Sequence, residues 1–448
     1  MTALTATKKR ITIIGMGLTG LSCARYFAAK HLPFRVVDSR EMPPMAEQFA
    51  QEFPQVEILC GTFYSGLFTK DDLLVVSPGM SLKEPAIAEA LAAGAGLSSD
   101  IQIFVEVVTQ PIIAITGSNG KSTVTTLAGE MLKAVGLDVG VAGNIGVPVL
   151  QQLLQRQQPD IYVLELSSFQ LERLPALGAK VATILNVSED HMDRYADMQA
   201  YLEAKQRIFA GAEHAVVNRD DDASVPPSAI DSISFGLSEP EYNALGVLQE
   251  ADGEWLVLGQ RKLVKSDKLK IKGRHNIANA LAALGLCQFI SKDWQAFVDT
   301  LCAFPGLPHR CQWVADINGV SFYNDSKATN VGAAVAAING LAQTDRKLWL
   351  IAGGQDKDSD FKPLALVIEQ QVAGVFVIGK DGEKIIRAVG EDRCVRAASL
   401  VEAVSKAYQA ATSGDVVLLA PACASFDMFK NYEDRGNCFV AAVKQLAA

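Results

Sequence analysis

Apolar residues in this chain come in short, nearly unbroken runs, separated by stretches in which apolar positions recur at helical spacing. ITIIG, FRVVD and DLLVV come first, then IIAIT, IYVLEL, VATILNV and HAVVN, and finally VSFYN, LWLIAGG, VFVIG and DVVLLAPA. A strand with one wet face alternates apolar and polar residues, so consecutive Val, Ile and Leu predict strands buried on both faces, in parallel sheets covered by helices. The predicted fold class is α/β throughout. Two breaks sort the runs into three groups: the small-residue stretch AAGAGLSSD (92–100) and the proline-containing FPGLPHR (304–310). Domains at 1–99, 100–307 and 308–448 follow, close to the roughly 150 residues of an ordinary domain. Within the middle unit, ALGVLQEADGEWLVLG predicts an antiparallel hairpin turning at Asp252-Gly253.

Composition narrows the class without choosing a function. Hydrophobic residues make up 49% and charged residues 20% of the 448 positions, which excludes disorder. No apolar run approaches the ~18 residues of a bilayer span. KKR followed by ITIIGMGLTGLSCA resembles a secretory signal, but three glycines and Arg25 interrupt it, and the stretch reads better as strand, glycine turn and helix. Net charge is −9 with no long basic run, which argues against nucleic acid as a partner. The eight cysteines are scattered, with no zinc-type spacing, as expected of a reducing cytoplasm.

Two glycine motifs carry candidate chemistry. In GMGLTG, Gly15, Gly17 and Gly20 follow a strand and open a helix, and Asp38 ends the next strand. This is the Rossmann arrangement, in which helix N–H groups face a pyrophosphate. A nicotinamide oxidoreductase would place Asp38 on a ribose. In TGSNGKST, Gly117 stands only three positions before Gly120, shorter than a Walker A loop. The physics of that loop survives: backbone N–H groups face phosphate oxygens, Lys121 neutralises charge, and Ser122 suits Mg²⁺.

Three further side chains stand out around this second motif. Glu165 interrupts the apolar strand IYVLEL, where a charge is costly unless it is paired or bound to a cation. His191 follows the strand VATILNV, where a sheet opens its ligand crevice. Lys205 falls on the helical stripe of Met198, Leu202 and Phe209, a place for a snorkelling lysine or a functional one. An ammonium cannot ligate Mg²⁺, so a metal role requires Lys205 to become a carbamate.

Taken in order, SPG, TGSNGKST, LELSSFQ, NVSEDHMDRY, GRHNIANALAA, GLPHR and YNDSKATN resemble the Mur ligases over all three domains, and APACASFDMFKNYEDRG is similar to the members that add D-glutamate. The resemblance implies a Rossmann-like N-terminal domain, a central P-loop ATPase-like domain and a Rossmann-like C-terminal domain. It implies an ATP-dependent amide ligase of peptidoglycan precursor synthesis, taking UDP-N-acetylmuramoyl-L-alanine, D-glutamate and ATP and acting as a cytoplasmic monomer. The UDP-sugar would meet Leu18, Thr19, Asp38, Ser39, Arg40, Gly79 and Asn144. ATP would meet Gly117, Ser118, Asn119, Gly120, Lys121, Ser122 and Thr123, with Asn276, Asn279, Arg310 and Asp325 closing around it. Ser122 with Glu165, and His191 with carbamylated Lys205, would hold two Mg²⁺ ions. Lys327, Thr329, Lys357, Ser425, Phe426 and Tyr432 would surround the amino acid, with Tyr432 standing where Phe is expected. A folylpolyglutamate-synthetase-like ligase shares the short phosphate loop and is the nearest competitor, although GMGLTG argues against it.

Overall fold

Each group of apolar runs closes into a sheet of its own. The computed structural model describes residues 9–155, 157–192, 194–342 and 346–446. In the first sheet the strands lie in the order Ile58–Cys60, Phe34–Asp38, Arg10–Ile14, Asp72–Val76 and Gly96–Ser98, all parallel. Chain order reverses between Arg10–Ile14 and Asp72–Val76, and it is beyond the carboxyl ends of strands at such a reversal that sheets of this kind hold ligands. The helix Leu18–Ala29 packs tightly there: a Cβ on Gly20 would lie 1.9 Å from the Gly15 carbonyl oxygen.

The middle sheet runs Arg261–Lys265, Gly253–Leu258, Leu245–Glu250, Asp231–Phe235, His214–Asn218, Val181–Ile184, Ile112–Thr116, Ile161–Glu165 and Val139–Gly143. It is parallel from Val139–Gly143 through Leu245–Glu250 and antiparallel beyond. The expected hairpin is present, with its turn one residue earlier than the Asp-Gly pair suggested. Glu250 pairs with Gly253, so Ala251 and Asp252 form the loop and Gly253, at φ 127°, begins the return strand. The third sheet runs Gln312–Ile317, Val320–Asn324, Val416–Leu419, Leu348–Gly353, Gly374–Ile378 and Cys394–Arg396, with only the first pair antiparallel.

The strands absent from the sequence reading are mostly short or at edges, where half-exposure dilutes the apolar run: Ile58–Cys60, Gly96–Ser98 and Cys394–Arg396 have three residues each. The middle of AAGAGLSSD, read as a break, is the last strand of the first sheet.

One apolar core joins the first two domains. Phe27, Phe104, Tyr162 and Leu164 belong to a single buried cluster, and Phe104 meets Tyr162 edge to face at 4.8 Å. The two clusters of the C-terminal domain, one around Leu350 and one around Phe322, contain residues of that domain alone. No helix of the described residues is long and apolar enough to cross a membrane.

Candidate active site

The strand Ile112–Thr116 delivers the chain into the TGSNGKST loop at the carboxyl edge of the middle sheet, and the helix Lys121–Ala134 leaves it. Gly120, at φ 84°, turns the loop into that helix; a Cβ there would lie 2.3 Å from Asn279 Oδ1, so both conformation and space require glycine. The loop is braced by its neighbour strand: the Ser118 amide donates to the Asn186 carbonyl (2.8 Å) and the Asn119 amide to Asn186 Oδ1 (2.8 Å). Lys121 Nζ folds back onto the carbonyls of Gly117 (2.8 Å) and Ser118 (3.0 Å). Burial lowers its pKa, so an anion that displaces those carbonyls meets an ammonium short of solvent.

Glu165 is 2% exposed and fully engaged. Ser122 Oγ donates to its Oε2 (2.6 Å), Asn144 Nδ2 to its Oε1 (2.8 Å), and Arg310 Nη2 from the third domain reaches Ser122 Oγ at 2.5 Å. A hydroxyl and a carboxylate oxygen side by side suit a hard cation such as Mg²⁺. Among the described residues no group of three or more His, Cys, Asp or Glu could hold a metal ion.

Lys205 is 1% exposed, its Nζ donating to the Gly117 carbonyl (2.8 Å) and lying 4.5 Å from the Tyr201 ring centroid. It does not snorkel. The buried face of its helix, Met198–Gln206, is formed by Tyr201, Ala204 and Lys205, whereas Met198 is exposed, which corrects the predicted stripe. The helix starts on the Asp197 side-chain cap and ends before Phe209, so the stripe read from sequence ran past its end. Burial pushes the Lys205 ammonium well below its ordinary pKa. His191, at φ 59°, has its ring 4.7 Å from that of Phe169.

These groups open onto one cavity of about 280 Å³ with Lys327, Thr329 and Lys357 of the third domain. Five cations line it (Lys121, Lys205, Arg310, Lys327 and Lys357) against two carboxylates, Glu165 and Asp190, so it is built for polyanions. A neighbouring cavity of about 350 Å³ shares Asn119, Gly120, Arg310 and Lys327 with it and adds Thr123, Asn276, Asn279 and Asp325. Burial pushes the Asp325 carboxyl up to about 7 and the Lys327 ammonium down to about 8. Lys327 Nζ sits 4.0 Å from the Tyr432 ring centroid.

Ser425 and Phe426 do not line either cavity. Ser425 is 2% exposed, its carbonyl accepting from the Phe429 amide (2.8 Å), while Phe426 is 70% exposed. Leu18, Thr19, Ser39, Arg40 and Gly79 gather separately, at the ligand edge of the first sheet. Asp38 is there too, but turned inward. It accepts from the Met16 amide (2.7 Å) and from the Arg40 amide (2.9 Å), Nε (2.8 Å) and Nη2 (2.7 Å). Burial alone would raise its pKa, but Arg40 and the two amides hold it below the usual range.

Three residues of the site escaped the sequence reading. Asp190 accepts from Asn330 Nδ2 (3.1 Å) and Lys357 Nζ (3.2 Å), bridging the middle and third domains. Fully buried Arg435 ties Ser326, beside Lys327, to the carbonyls of Cys423 (3.1 Å) and Ala424 (3.3 Å), beside Ser425. His309 meets Asn324 Nδ2 at 3.0 Å through its Nδ1, beneath Arg310. Nothing local marks them: each lies among other polar residues and acquires its partner only in the fold.

A short phosphate loop at one sheet edge, a second sheet presenting lysines to it and a third offering a glycine-lined crevice match one family in every domain. Residues 9–99 match the Mur ligase MurD-like N-terminal domain, 115–287 the Mur ligase middle domain and 309–423 the Mur ligase glutamate ligase domain. The chain belongs to the Mur ligase family. It is 49% identical over 440 residues to the UDP-N-acetylmuramoylalanine–D-glutamate ligase of Pseudomonas aeruginosa, covering 97% of this chain and 98% of the relative. It is 48% identical over 441 residues to that of Marinobacter nauticus, covering 98% of each. Among solved structures, UDP-N-acetylmuramate-alanine ligase from Thermotoga maritima shares the fold at TM-score 0.61 and 17% identity, over 97% of this chain and 99% of that one. The bifunctional folylpolyglutamate synthase/dihydrofolate synthase from Yersinia pestis does so at TM-score 0.57 and 19% identity, over 76% of this chain and 91% of its own.

Proposed function

We propose that this chain joins D-glutamate to UDP-N-acetylmuramoyl-L-alanine at the expense of ATP, in the assembly of the peptidoglycan precursor, as a monomer in the cytoplasm. The observation that carries the reading is the single cavity onto which Lys121, Ser122 and Glu165 of the middle domain and Arg310, Lys327 and Lys357 of the third all open. A reaction with three substrates needs such a meeting point.

The alanyl carboxylate attacks the γ-phosphorus of ATP, the bond to the bridging oxygen breaks with its electron pair leaving on ADP, and an acyl phosphate results. The D-glutamate amine then adds to the acyl carbon, loses its proton, and expels phosphate to leave an amide. Lys121 and Arg310 hold the phosphates in line and offset the charge that develops on the transferring oxygens. Asn276, Asn279, Asp325 and Thr123 form the nucleotide side of the site, with the loop amides of Gly117 to Gly120 on the phosphates. Two Mg²⁺ ions, one on Ser122 and Glu165 and one on His191 with carbamylated Lys205, would neutralise phosphate charge. Burial lowers the Lys205 pKa and so favours the carbamate, which turns a donor into an oxygen ligand. Lys357, Lys327 and Thr329 receive the amino acid, a lysine beside a hydroxyl suiting its carboxylates, with the Tyr432 ring against Lys327. Leu18, Thr19, Asp38, Ser39, Arg40 and Gly79 hold the uridine nucleotide, Asp38 by fixing Arg40 and the glycine turn, and Asn144 faces the sugar side.

The test is release of inorganic phosphate with each substrate omitted in turn. Release should require ATP, the UDP-sugar and D-glutamate together, and a panel of D- and L-amino acids should leave D-glutamate preferred. Steady phosphate release without an amino acid would end the reading.

A further inference from the structure

The turn that leaves the strand Asp72–Val76 presents its carbonyls in a row toward the middle domain, and Pro78 within it has no N–H to offer in return. Two arginines of the middle domain meet that row. Arg173, 5% exposed, donates through Nη1 to the carbonyls of Val76 (2.6 Å) and Ser77 (2.6 Å), and through Nη2 to those of Pro78 (3.3 Å) and Met80. Arg194 lies outside it, with Nη1 on Pro78 (3.1 Å) and Gly79 (3.5 Å) and Nη2 on Met80 (3.3 Å). Glu172 holds Arg194 in place through Oε1 (2.6 Å), and the guanidinium stacks 4.1 Å from the Phe169 ring centroid. Every carbonyl from Val76 to Met80 therefore accepts from a guanidinium, whose fixed fork serves several acceptors where a lysine would serve fewer.

Both arginines sit on segments that also carry the chemistry. Arg173 ends the segment that leaves Glu165 through the helix Ser168–Leu171, and Arg194 follows His191 in one loop. On the other side, the Ser77 amide donates to the Ile14 carbonyl (2.9 Å), and a Cβ on Gly15 would lie 2.8 Å from Ser77 Oγ, so the clamped turn abuts the glycine turn.

We propose that Arg173, with Arg194, is a positioning residue that sets the distance between the nucleotide crevice of the first domain and the phosphate loop of the second. The inference rests on the reading that the UDP-sugar is anchored in the first domain while its carboxylate is phosphorylated in the second. Such a substrate has a fixed length, and its reacting end arrives at the γ-phosphate only if the two sites keep their spacing. Ligands that touch one domain alone are indifferent to that spacing.

The experiment compares Arg173→Lys with the wild-type enzyme by calorimetry, using UDP alone, UDP-N-acetylmuramoyl-L-alanine, and a nonhydrolysable ATP analogue. Binding of the full UDP-sugar should weaken at least tenfold while UDP and the ATP analogue stay within twofold. KM for the UDP-sugar should rise with KM for ATP unchanged. Equal weakening of UDP and the full substrate would show that Arg173 merely folds the crevice, and no change in either would show that it positions nothing; both overturn the proposal. If Arg173→Lys does not yield folded protein, Arg194→Gln removes the outer half of the clamp and should weaken the full substrate at least threefold more than UDP, an unchanged ratio again overturning it. Wild-type protein that binds no UDP would instead overturn the functional reading, and the clamp with it.

Discussion

Between the first two domains, Phe104 and Tyr162 share one apolar core with Phe27, and the buried Arg173 guanidinium holds backbone carbonyls. Between the second and third, Asp190 meets Lys357 and Asn330, and Arg310 meets Ser122, all of them lining the cavity. The first seam is made of apolar packing and of a guanidinium shut away from solvent. The second is made of charges that a phosphate or a carboxylate can take over one by one, so the third domain can exchange protein partners for substrate and close around it. A seam's chemistry thus decides whether it fixes a distance or responds to a ligand.

Core substitutions should separate the two most strongly. Phe104→Ala and Phe322→Ala each remove a fully buried ring and should cost about 3–5 kcal/mol. In scanning calorimetry the first should lower a transition in which the N-terminal and middle domains melt together, and the second should lower a transition of the C-terminal domain alone. Three domains shifting together in Phe322→Ala would erase the distinction.

Lys121→Ala tests the second seam's chemistry. ADP formation should fall by about 10²–10³-fold while UDP-sugar affinity changes less than twofold. Turnover at the wild-type rate would remove the phosphate loop from the reaction. Asp190→Asn is a gentler probe of the same seam. It frees Lys357 from a partly buried partner, and kcat/KM for D-glutamate should change about tenfold, equivalent to about 1.4 kcal/mol. Hydrogen exchange should quicken around 328–330 and 356–358 and stay constant at 76–80; faster exchange at 76–80 would show the two seams to be coupled.

The smallest effect is one of pH. Burial brings the Lys327 ammonium down to about 8, so its charge is present below that pH and lost as pH rises through it. With that charge needed to receive anions, kcat/KM should decline above about pH 8, since this ratio reports the free enzyme. Lys327→Arg, which stays charged, should push the decline to higher pH; an unmoved profile would assign it to another group.

Much of the site was legible in short stretches. Gly120 announced itself through the company of Lys121 and Ser122, and Glu165 and Lys205 through being charged in apolar surroundings. Lys205 is buried, but on the face of Tyr201 and Ala204 rather than that of Met198. Asp190 gave no comparable signal, because a carboxylate in a polar loop is ordinary until something 167 residues away pairs with it. Asp38 shows the opposite case: its place after the strand suits a ligand contact, and the fold turns its oxygens to Met16 and Arg40.

The chain by itself determined which segments become buried strands, where glycine permits a turn, and that a glycine loop carrying Lys121 and Ser122 follows the strand Ile112–Thr116, because strand burial, backbone freedom and loop chemistry are written in neighbouring residues. Tertiary structure alone decided that Arg310 would reach Ser122, 188 residues away, and that Arg173 would hold a turn 97 residues back. Any of the chain's 41 lysines and arginines could answer a carboxylate or a carbonyl. Only packing, by fixing which of them arrives at hydrogen-bonding distance in a dry seam, makes the choice.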